Sequence, residues 1–160
     1  MTSYLLSYKY KVVIDTNIII AALMNDNSDT ACRAILRLAF RDEIKPMIGH
    51  ALFCEYEDVI NRDYIYSKSP MTLDDRNEFL DDFLSICEWN EIHYLWRPNL
   101  TDEGDNHLVE LAVASGASYI ITQNIRDLQS GDLNFDTIKA MHPVAFLNMI
   151  RDEQDKKEIK

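Results

Sequence analysis

Val12, Val13 and Ile14 form an unbroken run of β-branched apolar residues that ends on a carboxylate, Asp15. A strand with one wet face alternates apolar with polar residues. A run with no polar member suits a strand buried on both faces, as in parallel sheets covered by helices. Ligands of such sheets bind outside the carboxyl ends of the strands, the edge on which Asp15 falls.

The rest of the chain repeats this rhythm, short apolar runs alternating with longer segments of 3.6-residue period, which is the sequence form of an α/β domain with a mainly parallel central sheet. Strands are expected at "KVVID" (11–15), "EIKPMI" (43–48), "EIHYLW" (91–96), "SYIIT" (118–122) and near "TIKAM" (137–141). Pro46 weakens the second, because proline cannot donate to a ladder. Helices are expected after Asn17 as cap, over 30–41, 50–61, 73–88 with Thr72 as cap, from Asp105 to a Gly116 stop, and over 143–150 with Pro143 in its first turn. Leu52, Tyr56, Val59 and Ile60 form the apolar stripe of the 50–61 helix, and Leu80, Phe83, Leu84 and Cys87 that of 73–88.

With 160 residues the chain suits a single domain, expected over 1–151, followed by a charged tail over 152–160 that frays. No apolar run reaches the roughly 18 residues of a membrane span, and the N-terminus lacks the apolar core of a secretory signal, so a cytoplasmic protein with no membrane partner is expected. Cys32, Cys54 and Cys87 show neither disulfide nor zinc spacing and read as buried small hydrophobes. Sixteen basic against 27 acidic residues give a net charge of −11, which disfavours non-specific attraction to a nucleic-acid backbone. Divalent cations held by clustered carboxylates would invert that field locally.

Four acids fall where such clustering is possible. Asp15 and Asp127 each follow a strand, so parallel strands bring them to one edge. Glu55 lies on the helix face of Leu52 and Val59, which carries its carboxylate toward the interior. Asp105 stands at a helix start, where exposed amides favour negative charge. Each has an ordinary explanation as a cap or a solvated group. Together they repel one another unless a cation neutralises them, and oxygen-only ligation suits Mg²⁺ or Mn²⁺ rather than zinc. Phosphodiester hydrolysis is the chemistry such a site serves best.

In order and spacing, "VVIDTN", "FCEYEDVI", "DEGDNHLVELAVASGASYIIT", "QNIRDL" and "HPVAFL" resemble a PIN-domain protein, of the group of VapC-like ribonucleases that are toxins of toxin–antitoxin pairs. The family's metal-binding acids fall on Asp15, Glu55 and Asp105, with Asp102 a second choice for the third, and on Asp127. The last element usually reads Thr-x-Asp-x-x-Asp; here it runs from Thr122 to Asp127 with Asn124 in place of the first acid, which points to a weakened or missing second metal. The resemblance implies a three-layer α/β/α sandwich, Mg²⁺- or Mn²⁺-dependent endoribonuclease activity on single-stranded or looped RNA, a small antitoxin protein as partner, and a homodimer. Asn17, Thr122, Asn124 and Arg126 are the candidates for positioning substrate.

Lys9, Lys11, Arg33, Arg37 and Arg41 read as solvated helix faces sooner than phosphate contacts. Of His50, His93, His107 and His142, only His107 sits beside a candidate acid. Tyr4, Tyr8 and Tyr10 suit packing or an interface better than base stacking. The rival reading from another class is a catalytically inactive PIN-like module that binds RNA or protein. A haloacid-dehalogenase-type phosphatase is disfavoured because Asn17 stands where its second aspartate belongs, and a receiver domain because its paired acids and late lysine find no place.

Overall fold

The computed structural model describes residues 10–24, 30–92, 106–126 and 137–159. Its centre is a five-stranded sheet of β1 (Lys11–Ile14), β2 (Lys45–Ile48), β3 (Glu88–Trp89), β4 (Tyr119–Ile121) and β5 (Lys139–Met141), ordered β3-β2-β1-β4-β5 with every neighbouring pair parallel. Six α-helices accompany it among the described residues: α1 (Thr16–Leu23), α2 (Ala31–Phe40), α3 (His50–Ile60), α4 (Leu73–Ile86), α5 (Asn106–Ser115) and α6 (Pro143–Glu158). The architecture is the α/β/α sandwich expected from the sequence. The strand order reverses between β1 and β4, so the two central strands diverge in connection there. That reversal opens the crevice in which doubly wound sheets bind ligands.

Val12, Val13 and Ile14 are fully buried, as an inner strand requires. The stripe of α3 is buried throughout, at Leu52, Tyr56, Val59 and Ile60. Thr72 closes a capping box with Asp75 at the start of α4, each accepting a backbone amide of the other. Gly116 adopts φ +73°, the left-handed stop expected after α5. Pro143 opens α6, where its missing N–H has no intrahelical partner to lose.

Pro46 is tolerated in an inner strand for a readable reason. The Lys45 amide donates to Tyr10 beside β1, so Pro46 nitrogen faces the β3 side. There the ladder begins one residue later, pairing Met47 with Glu88 and Ile48 with Trp89. No sheet hydrogen bond is forfeited.

Several expectations need correction. The third described strand lies at Glu88–Trp89, because α4 ends at Ile86 and Cys87 is already extended. Of the stretch expected as that strand, Glu91 and Ile92 are not in a strand, and residues 93–96 lie outside those described. Asn17 is inside α1 rather than its cap, and Asp15 holds the cap position. Helix α6 runs on to Glu158, past Ile150 and into the segment expected to fray; Lys156 and Lys157 in its last turn complement the helix dipole. Only Cys32 of the three cysteines is buried; Cys54 is exposed and Cys87 half-buried. Arg33 is half-buried, its guanidinium donating to the Ala22 carbonyl at 2.7 Å. No helix among the described residues is long and apolar enough to cross a membrane.

Candidate active site

Asp15 takes the extended backbone of a helix cap, φ −64° and ψ 149°, yet its side chain caps nothing. The carboxylate is instead turned into a nest of side chains at the carboxyl edge of β1 and β4. Its Oδ2 accepts from the Thr122 hydroxyl at 2.7 Å and from the Asn17 amide at 3.1 Å. Thr122 is fully buried, follows β4 directly, and accepts in turn from the Asn124 backbone N–H at 3.0 Å and from Asn17 at 3.3 Å. Asn17 Oδ1 accepts from the Gln123 backbone N–H at 3.3 Å. Asn17 and Thr122 therefore fix the orientation of Asp15, and Asn124 contributes through its backbone.

Glu55 reaches this edge from α3. One hydroxyl, Thr16 Oγ1, lies 2.5 Å from Glu55 Oε1 and 3.3 Å from Asp15 Oδ1. Since a hydroxyl has one hydrogen, the shorter contact takes it and Glu55 is the acceptor. His107 Nε2, from the first turn of α5, stands 2.8 Å from the other Glu55 oxygen. The neighbouring residue, Tyr56, points the other way and donates its buried hydroxyl to the Ile14 carbonyl, immediately before Asp15. Consecutive residues of α3 thus supply one acid and grip the strand that carries the other. Tyr56→Phe should leave that carbonyl unpaired and cost about 1–2 kcal/mol of stability, readable by urea denaturation.

The pKa values of the two carboxylates are moved in opposite directions. Burial raises the Asp15 carboxyl above its ordinary range, the hydrogen bond from Thr122 opposes it, and the Glu55 charge adds to the rise. Burial also acts to raise Glu55, but hydrogen bonding and charge from His107, with the Thr16 hydrogen bond, outweigh it and leave the group lowered. A buried carboxylate, Asp15, and a half-buried one, Glu55, close enough to repel, form a donor set for a hard cation. Among the described residues, no group of three or more His, Cys, Asp or Glu side chains is arranged to hold a metal. Asp105 and Asp127, together with Asp102, lie outside the described residues. Arg126 is exposed.

The sequence reading passed over Thr16, whose hydroxyl separates the two acids, and Tyr56 as a clamp on β1. Thr16 had a signal in its position, the first helical residue after a strand-end aspartate. Tyr56 had none beyond its place on the apolar stripe.

No curated protein sequence matches the chain. The fold is similar to a chain in the crystal structure of VapBC2 from Rickettsia felis bound to a DNA fragment from their promoter, with a TM-score of 0.52 and 18% sequence identity; the match covers 82% of this chain and 98% of that one. A family model described as PIN domain matches residues 11–126, a span that opens on β1 and takes in Asp15, Thr16, Glu55, His107 and Thr122. With most of the chain matched and the acids of β1 and α3 meeting at the sheet edge, this protein belongs to the PIN-domain family.

Proposed function

We propose that the chain is a Mg²⁺- or Mn²⁺-dependent endoribonuclease that hydrolyses RNA phosphodiester bonds and serves as the toxin of a toxin–antitoxin pair. The observation that carries this reading is the meeting of Asp15 and Glu55 around one threonine hydroxyl at the carboxyl edge of the sheet. Membership of a family whose domains are generally nucleases supports the hydrolase. Fold similarity to a chain of a VapBC2 assembly supports an antitoxin partner. A homodimer and a cytoplasmic location complete the proposal.

In this reading Asp15 and Glu55 hold the cation, joined by Asp105 and Asp127. A bound divalent ion lowers the pKa of water and offsets charge on the scissile phosphate. The protein's part is positioning. Thr122 and Asn17 fix one carboxylate, Thr16 and His107 the other, so that neither must reorganise when phosphate arrives.

Purified chain mixed with single-stranded RNA is expected to cut it with Mg²⁺ or Mn²⁺ and to stop on addition of EDTA. Glu55→Gln should reduce the rate by roughly a hundredfold or more, as loss of one charged group from a preorganised site does. The inactive-module reading draws on Asn124, which stands where the family pattern places an acid. RNA or protein binding with no cutting under any divalent metal would establish that reading and sink the nuclease.

A further inference from the structure

A cavity of about 600 Å³ opens beside the acidic centre, between the start of α3, the chain leaving β3 and the first turns of α5. Resting on the nuclease reading, we propose that it is a base-binding subsite, taking a nucleobase with hydrogen-bond donors on its Watson–Crick edge, guanine before the others.

Trp89 supplies the stacking surface. The residue is 53% exposed and lines the cavity, an unusual placement for one this large and apolar. Phe53 packs against it with centroids 5.3 Å apart, which holds the indole in place and leaves the rest of it open. Beside it, the Asn90 amide is fixed to the wall by donating to the Glu88 carbonyl at 3.0 Å. A rigid aromatic face next to ordered polar groups is the composition that splayed-out RNA bases select.

Glu110 supplies the edge reader. It is only 6% exposed, lines the same cavity, and its Oε1 has no hydrogen-bond partner among the described residues. A buried carboxylate oxygen left without a donor is costly, and a ligand N–H removes that cost. Guanine offers two adjacent donors, N1–H and N2–H, to a carboxylate; adenine, cytosine and uracil offer fewer in that geometry. Glu91 and Glu110 in the walls repel a phosphate, so the nucleotide enters by its base and not by its backbone.

His107 connects the subsite to the chemistry. It lines the cavity and lies 2.8 Å from Glu55, so a base held against Trp89 leaves its own phosphates near Asp15 and Glu55. The subsite would thus set which linkage is cut.

The test is fluorescence anisotropy of labelled hexauridylate and its variants carrying one internal G, A or C, bound to the full chain in EDTA so that nothing is cleaved. The G-containing strand is expected to bind roughly tenfold tighter than hexauridylate. Trp89→Ala should weaken every strand by about tenfold, with Trp89→Phe restoring most of the loss, and Glu110→Gln should erase the preference for G while sparing hexauridylate. Circular dichroism checks that each variant is folded. Equal affinity for the four strands, or indifference to Trp89→Ala, overturns the subsite even if wild type cuts RNA with metal. Base-selective binding in EDTA by a protein that fails to cut the same strands once Mg²⁺ or Mn²⁺ is supplied leaves the subsite standing and removes the nuclease. An arginine-containing peptide that loses affinity with Trp89→Ala, while the RNAs do not, would reassign the cavity to a protein partner.

Discussion

Asp15→Asn is expected to lower metal-dependent RNA cleavage by at least about a hundredfold and, in the same preparation, to raise the thermal midpoint of the metal-free protein. The substitution keeps the shape of the side chain. The asparagine carbonyl can replace Oδ2 as acceptor for Thr122 and Asn17, and its amide can donate to Thr16, whose own hydrogen already goes to Glu55. What disappears is a buried negative charge facing another. Relief of that kind is worth on the order of 1 kcal/mol, or about 2–4 °C for a chain of this size.

The pH dependence has a definite sign. Asp15 binds its proton more tightly folded than unfolded. Its ionisation therefore costs nothing below the ordinary carboxylate pKa, and the cost grows as pH rises from there through the raised folded value. The advantage of Asp15→Asn should vanish in acid and level off toward neutrality. Glu55, held low, contributes stability above the ordinary carboxylate range and loses it as pH falls through its folded pKa. Added Mg²⁺ or Mn²⁺ should raise the midpoint of wild type and not of Asp15→Asn. A variant that is both inactive and less stable at neutral pH would mean that Asp15 serves the fold instead of a cation.

Arg76→Ala is the second large effect, and it falls on stability. Arg76 lies in α4, is 3% exposed, and makes three bonds that tie the segment between α3 and α4 together. Its Nε donates to the Ile60 carbonyl at 3.0 Å, its Nη1 to Met71 at 3.2 Å, and its Nη2 pairs with Asp63. The guanidinium also sits 4.4 Å above the Tyr66 ring. Asp63 is well exposed, so water screens that ion pair and it contributes little. The main loss is two carbonyls left without donors and the space beneath the ring. Together these should cost about 3–4 kcal/mol and lower the midpoint by roughly 8–12 °C. Arg76→Lys should recover only part, since an ammonium cannot span both carbonyls and stack on the ring. Calorimetric midpoints of the two variants decide it; a loss under 1 kcal/mol would show that this segment does not depend on Arg76.

The inner strands were readable because burial on both faces leaves an uninterrupted apolar run, as at Val12 to Ile14. The position of Asp15 followed from the same fact. β3 was not readable in this way: two exposed residues, Glu88 and Trp89, carry no periodicity, and the stronger apolar pattern at 91–96 drew the assignment past them. The end of α6 was misjudged because charged residues after Ile150 resemble a frayed tail and a solvated helix equally well. Asn17 is a favourable cap type, but Asp15, two residues earlier, already occupied the cap and left Asn17 free to bind it. Within the site, single acids could be located along the chain. Their shared contact, Thr16, depends on how α3 is rotated against β1, which no local pattern encodes.

The side chains that orient Asp15 are far apart in the sequence: Asn17 follows it by two residues, while the hydroxyl that meets its Oδ2 lies 107 residues further on, directly after β4, which pairs with β1. Contacts so distant in sequence cannot form before both partners exist. A ribosome making this protein exposes Asp15 early, but the other half of its cradle leaves the exit tunnel only after more than 120 residues have been joined. Nascent and truncated chains are therefore unable to complete the acidic centre. By this arrangement the acidic centre stays incomplete until β4 and Thr122 have been made.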